Sequence, residues 1–356
     1  SLVASGRKEL KSCNFAGAEQ YFRKALKISP DNVSARLGLA ETLFFNARYD
    51  EAIQLLEETK SLTPDSSITH LLLGRIYRVQ RRYPKAEEEF KKGIKKDPDN
   101  PQIYVDLAIS YTDSMKLLSA LKMIDKALEI DPENVNAYIA RGEVYYDYLW
   151  LDNDMKWYDR AIETYDRAIE LDPGCAEAYA AKAEVFYDRG QYDRAFEIFK
   201  KGAEIDPFNA HSHLGMGEIY FARGQYDAAL DKYNTVLKLE PNNEDVNKDI
   251  ADVYIKLKKY DQAKKWLEKA LITNPNPADP RVGLGKLYFE LKKYDKAEEM
   301  FREALRFDHL NDDAYRYLGR IYKTRGDEKK AEEFFKKANE VSHHKNPPIK
   351  DENYNK

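Results

Sequence analysis

Apolar positions along this chain fall into short stripes separated by polar breaks, and residues 210–241 show the arrangement most clearly. His213, Met216, Gly217 and Tyr220 share one helical face at spacings of three, one and three, which predicts an amphipathic first helix. Gly224 predicts its end, because glycine enters the left-handed cap conformation at little cost. Asp227 predicts the opening of a second helix, where a carboxylate answers unpaired amides and the positive dipole end. Ala229, Tyr233 and Val236 line that helix's inner face, and Pro241 stops it. Gly217 and Ala229 let two helix backbones approach closely, while Tyr220 and Tyr233 fill the space between pairs. One pair cannot bury this stripe alone, so neighbouring pairs must stack.

The arrangement is periodic. Prolines fall at Pro30, Pro64, Pro98, Pro132, Pro173, Pro207, Pro241 and Pro275, at intervals of 34, 34, 34, 41, 34, 34 and 34, and His309 and His343 continue the register. Alanine keeps the same spacing at Ala18, Ala52, Ala86, Ala120, Ala161, Ala195, Ala229, Ala263, Ala297 and Ala331. A small residue does so at Gly6, Ala40, Gly74, Ala108, Gly142, Ala183, Gly217, Ala251, Gly285 and Gly319. A Tyr-Asp-x-Ala helix start recurs at Tyr49, Tyr192, Tyr226, Tyr260 and Tyr294.

These residues resemble the tetratricopeptide repeat family, over ten units spanning residues 1–343. The resemblance implies an all-α fold, a right-handed superhelical solenoid of stacked antiparallel helix pairs, about 20 helices in all. It also implies a concave groove, lined by the first helix of each pair, that binds peptides or protein segments. Three departures stand out. The first unit is truncated and has Glu9 where other units carry Leu, Tyr or Phe, and the fifth unit is seven residues longer than the rest. The chain then runs out through a polar, proline-broken segment, 344–356, which predicts disorder. Two poorly capped ends point to a piece of a longer protein or to end-to-end self-association.

Composition narrows the functional classes. The chain has 356 residues with 58 Lys+Arg against 62 Asp+Glu, for a net charge of −4, and 43% of residues are hydrophobic. That balance argues against nucleic acid as a partner. No run approaches the length of a membrane span. Cys13 and Cys175 alone make neither a disulfide framework nor a multi-cysteine zinc site, and with no signal-like start they favour a cytoplasmic location.

Enzyme signatures fail one by one. Gly283-Leu284-Gly285-Lys286 resembles a phosphate loop but lies in mid-helix register with no preceding strand. His70 and His213 share one core-flanking position, and His211, Ser212 and His213 assemble no nucleophilic trio. His343-His344 lacks a third metal ligand. Fourteen of the 26 tyrosines occupy two packing positions of the repeat. No catalytic residue, metal site or cofactor is expected.

The positions that the family turns toward its ligand are more informative. From the fourth to the eighth unit they hold Asp106, Asp113, Glu143, Asp147, Glu177, Glu184, Asp188, Glu218, Asp245, Asp249 and Asp252, against Lys248 and Lys256 alone. Carboxylate and ring alternate one helical turn apart in Glu143/Tyr146, Glu184/Tyr187 and Glu218/Phe221, and Asp252/Ile255 continues the series. Such pairs suit Lys or Arg, offering ionic hydrogen bonds beside a cation–π surface. Cations take over near the ends, at Arg7, Lys11, Arg75 and Arg78 and again at Lys286, Arg316, Arg320 and Lys323. The lengthened unit adds Trp150 and Trp157 within 146–157, either as an interaction knob or as two longer helices packing the tryptophans together. The lysine–asparagine pattern by which some co-chaperone relatives clamp a C-terminal carboxylate is absent. The function expected is a non-catalytic scaffold that takes a basic, partly apolar segment of a protein partner. The alternative is a substrate-recognition or targeting arm of a larger enzyme, as in glycosyltransferases that bear such repeats.

Overall fold

The computed structural model describes residues 1–12, 14–64, 66–152, 154–241, 243–273 and 278–344. Among them the chain forms twenty helices and no strand. In chain order they are α1 (Leu2–Lys11), α2 (Phe15–Ile28), α3 (Val33–Phe45), α4 (Tyr49–Leu62), α5 (Ser67–Val79), α6 (Tyr83–Lys96), α7 (Pro101–Asp113), α8 (Leu117–Ile130), α9 (Val135–Asp152) and α10 (Met155–Leu171). There follow α11 (Ala176–Asp188), α12 (Tyr192–Ile205), α13 (Ala210–Ala222), α14 (Tyr226–Leu239), α15 (Glu244–Lys256), α16 (Tyr260–Thr273), α17 (Ala278–Glu290), α18 (Tyr294–Phe307), α19 (Asp312–Thr324) and α20 (Glu328–His344). Odd-numbered helices are first helices and even-numbered ones are second helices of successive antiparallel pairs. Two compact units form: Ser1–Asp147 with Arg160–Pro173, and Tyr148–Asp159 with Gly174 onward. Apart from His344, the tail expected to be disordered lies outside the described residues, as do Cys13 and Pro275.

Local chemistry sets the helix boundaries. Most first helices open on a short polar cap. Asn32 accepts from the Ala35 amide at 2.9 Å, Asn209 from Ser212 at 2.7 Å and Asn311 from Ala314 at 2.9 Å. Second helices mostly lack such a cap; Arg48, Arg82, Lys116, Gln191, Gln225 and Lys293 stand there without a side-chain bond. The turn before them is closed instead by the end of the first helix. The Gly224 amide donates to the Phe221 carbonyl at 2.9 Å and the Gln225 amide to the Tyr220 carbonyl at 2.8 Å, a Schellman motif around a left-handed residue. Asp227 therefore does not open the second helix as expected; it sits in the first turn, one residue after the Tyr226 start. Gly190, Gly224 and Gly326 occupy the left-handed position, but so do Ala47, Arg81, Met115, Lys258 and Lys292.

Within each pair a bulky side chain of the second helix closes onto the small residue of the first. A Cβ on Gly74 would lie 2.5 Å from the Phe90 ring, and one on Gly285 would lie 2.6 Å from Phe301. Gly142 stands likewise against Tyr165 and Gly217 against Tyr233. Where the small residue is alanine the partner in register is aliphatic: Ala40 with Leu56, Ala108 with Ile124, Ala251 with Leu267. Both members of each of those pairs are buried. The exception is Ala183, whose partner in register, Phe199, packs onto Gly215 of the following pair. Each fully buried ring stabilises the stack by about 1.5–3 kcal/mol. Phe22, with no exposed surface, faces both Gly6 of its own pair and Gly38 of the next, so one ring seals two hairpins.

The extra seven residues lengthen helices instead of forming a loop. α9 and α10 run 18 and 17 residues, against 13 or 14 for most others. At their tip Trp157 is 2% exposed and stacks on Tyr148 with centroids 4.6 Å apart. Trp157 is thus packed on Tyr148 in the core of the tip, while Trp150 stays half exposed. The phosphate-loop lookalike is ordinary mid-helix packing, since a Cβ on Gly283 would meet Leu267 at 2.4 Å.

Two stability predictions follow from this packing. Gly74→Ala should destabilise the chain by about 1–3 kcal/mol through overpacking, and Phe90→Leu in that background should recover part of the loss by copying the Ala40/Leu56 combination. Urea midpoints of the two single variants and the double variant decide it. Arg81→Gly and Lys292→Gly should each stabilise by roughly 0.5–1 kcal/mol, since the left-handed penalty exceeds glycine's entropic cost there. Gly224→Ala should do the reverse, measurable as a lowered thermal midpoint.

Candidate functional site

The first unit turns its first-helix side chains toward one another. Arg75 of α5 grips Asp106 of α7 through two nitrogens, at 3.0 and 2.7 Å, and Gln102 adds a third bond to the same carboxylate. Asp106 is only 4% exposed, so this expected groove acid is a buried anchor and Arg75 is its counter-ion. Arg78 pairs with Asp113 at 3.1 Å. Glu143 and Tyr146 are half-buried on α9. His70 is a core residue, its Nδ1 2.7 Å from Glu89.

In the second unit the carboxylate–ring series occupies α11, α13 and α15. Tyr187 and Phe221 are anchored by the tyrosines that open their own second helices, with centroids 5.3 Å from Tyr192 and 5.9 Å from Tyr226. The same contact recurs as Phe289/Tyr294 at 5.5 Å. The aromatic half of each expected pair therefore rests on the hairpin turn, which fixes its direction.

The carboxylates divide into answered and unanswered groups. Glu177 and Glu184 of α11 hold the imidazole of His211 between them, Nδ1 at 3.0 Å and Nε2 at 3.2 Å. A neutral imidazole has one N–H and cannot donate to both, so the geometry calls for imidazolium. Burial opposes that charge, but the two carboxylates prevail and hold the His211 pKa up at about 10. His211 thus places a cation against two expected groove acids. Reading the histidines only as members of a nucleophilic trio missed it, although His211 stands one period beyond Glu177. Lys248 reaches Asp249 at 3.0 Å and Asp252 at 3.8 Å.

Glu218 makes no side-chain hydrogen bond or ion pair among the described residues. Burial, reinforced by the charges of Asp249 and Glu184, raises its pKa to about 7. Burial and the Glu218 charge push the neighbouring Tyr187 phenol up to about 12, so it stays a hydrogen-bond donor. Asp188 likewise has no partner among the described residues. The side chain of Asp245 lies outside them.

Farther along the same unit the cations are partly engaged. Lys286 bonds Asp313 at 2.7 Å. The Arg320 guanidinium stacks between Phe289 and Tyr317, at 4.5 and 4.6 Å from their centroids, and Arg316 faces Asp312 at 3.4 Å. A surface pocket of about 370 Å³ opens here, bounded by Phe221, Asp252, Ile255, Lys286 and Tyr317. It continues the carboxylate–ring series directly, since Phe221 and Asp252 form its wall. The arrangement can bind a cationic side chain against carboxylate and ring; it brings together no nucleophile, base and oxyanion donor. No described helix is long and apolar enough to cross a membrane.

Comparison with known proteins agrees with the helix pairs. Models of the tetratricopeptide repeat match residues 9–76, 48–104, 157–210, 220–283, 260–316 and 314–342. No curated protein sequence matches. Among solved structures, a human IFIT1 dimer with m7Gppp-AAAA is similar at a TM-score of 0.58 and 17% identity, over 96% of this chain and 90% of that one. Yeast Tom70 is similar at 0.52 and 17% identity, over 94% and 83%. Cut9 in the APC/C hetero-tetramer Cut9–Hcn1 is similar at 0.50 and 15% identity, over 96% and 93%. Identities this low carry the fold and nothing finer. With its period, its helix pairs and these matches in agreement, the chain belongs to the tetratricopeptide repeat family.

Proposed function

We propose that this protein is a non-catalytic scaffold that captures an extended, basic and partly apolar segment of another protein on its first-helix face, centred on α11–α15. The observation that carries the reading is Glu218, a carboxyl with no partner of its own, set beside Tyr187 and Phe221 in an acidic neighbourhood. Its counterpart Glu184, together with Glu177, already holds a cation, His211, in the manner proposed for a ligand Lys or Arg. Asp252, Phe221 and the adjoining pocket extend the face toward Arg316 and Arg320, where an acidic group of the ligand would be received. The summed field steers encounter more than it adds affinity, because each half-exposed ionic contact is worth only about 0.2–1 kcal/mol. The same field repels a phosphate backbone, which makes nucleic acid a poor ligand for this face.

Reversing Glu184 and Glu218 together to Lys should weaken a fluorescein-labelled lysine/phenylalanine peptide by at least about tenfold, read by anisotropy at low salt, with helicity unchanged. Adding Glu143→Lys tests whether α9 takes part. Equal affinity of wild type and double variant would remove the proposal.

Binding should also depend on pH in a direction fixed by Glu218. The protonated carboxyl offers a ligand cation no charge, so affinity should rise as pH climbs through about 7. Glu218→Gln should flatten that profile near its weak end. A wild-type profile that is level across neutrality would separate Glu218 from ligand capture.

A further inference from the structure

The residue just before the small repeat position is a buried apolar one in seven units: Leu39, Leu73, Leu107, Met216, Ile250, Leu284 and Leu318. The first unit has Ser5 there, the sixth Lys182 and the fifth Arg141. A guanidinium in an apolar slot is costly unless something answers it. The structure answers it incompletely. Arg141 contacts Asp125 of α8 through Nη2, while its Nε is buried and has no hydrogen-bond partner.

Arg141 does not stand alone. With Arg160 and Arg167 of α10 it lines one open pocket of about 420 Å³, whose remaining wall includes Tyr138, Tyr145 and Thr164. The Arg160 guanidinium lies over the Tyr145 ring, 5.8 Å from its centroid. Tyr138 donates to the Pro132 carbonyl at 3.2 Å and Thr164 to the Arg160 carbonyl at 2.6 Å, so neither of those hydroxyl hydrogens is left for a ligand. The charged donors in the lining are therefore the guanidinium groups of Arg141, Arg160 and Arg167. Glu163 is the one carboxylate in the lining. Asp125 and Glu170, the ion-pair partners of Arg141 and Arg167, are 64% and 66% exposed, able to rotate off into water.

We infer that this pocket between α9 and α10 receives a phosphoryl group, as a phosphate monoester or as inorganic phosphate. Three planar forks converging on one cavity match a tetrahedral dianion with several acceptor oxygens better than a carboxylate with two. Glu163 in the lining, with Asp125 and Glu170 beside it, disfavours a polynucleotide. The site is independent of the acidic face on α11–α15, so either can fail without the other.

Titration calorimetry at constant ionic strength near neutral pH, with phenyl phosphate, inorganic phosphate and a short oligouridylate as probes, tests the assignment. Arg141→Leu restores the residue type found in other units, so the fold is expected to survive and the thermal midpoint to hold or rise. Arg160→Gln is the second variant. Each should weaken phosphate or phenyl phosphate by at least about tenfold. Tighter binding of phenyl phosphate identifies an ester as the natural source, and equal binding identifies the free anion. Unchanged affinity in the folded variants, or an oligouridylate that outcompetes both anions, overturns the inference.

Discussion

The fold depends on a closure between two side chains of very unequal size. Where the second helix supplies a ring the residue opposite is usually glycine, and where that residue is alanine the partner is a smaller aliphatic except at Ala183 and Phe199. Gly74 with Phe90 and Ala40 with Leu56 are two solutions to one volume requirement. Because protein interiors are close-packed, neither member can change alone without strain or a void. The same ring often reaches the following pair, as Phe22 does at Gly38 and Phe199 at Gly215. Intrahelical propensity plays the lesser part; stacking across pairs is what turns marginal helices into a body.

The architecture was legible in the residues because period is a property of sequence. The proline, alanine and small-residue registers place nearly every helix, and Gly224 marks its hairpin turn. Capping chemistry misled at Asp227, where a turn closed by the preceding helix makes a side-chain cap unnecessary and moves the start to Tyr226. The lengthened unit was open to two readings, because two tryptophans in a sequence do not say which ring each will find. Trp157 found Tyr148.

The face proposed to take a ligand was legible as composition and less so as pairing. Asp106, Glu184 and Glu218 all stand among the acids expected on one face of the first helices, yet the structure gives them different lives. Arg75 buries the first and His211 shares the second with Glu177, while the third stands unanswered. Those outcomes turn on which side chain the adjoining pair presents, a two-residue question that charge counting does not pose. Arg141 shows the converse. Its signal lay in the register, as a charged residue in a mostly apolar column that also holds Lys182, and only the converging arginines of α10 gave it meaning.

The hairpin turns differ in one respect that sets local behaviour. Among the described residues, three of the left-handed corners are glycine and five carry a side chain, including Lys258 and Lys292 at the ends of α15 and α17. A corner held in a conformation its residue resists is where a helix pair opens first, because opening releases the strain as well as the water-facing bonds. The two such corners in this part of the chain adjoin the helices whose side chains build the pocket beyond Asp252. Solvent exchange should therefore enter the array at the seams beside this pocket sooner than at the glycine corners Gly190 and Gly224 that follow α11 and α13.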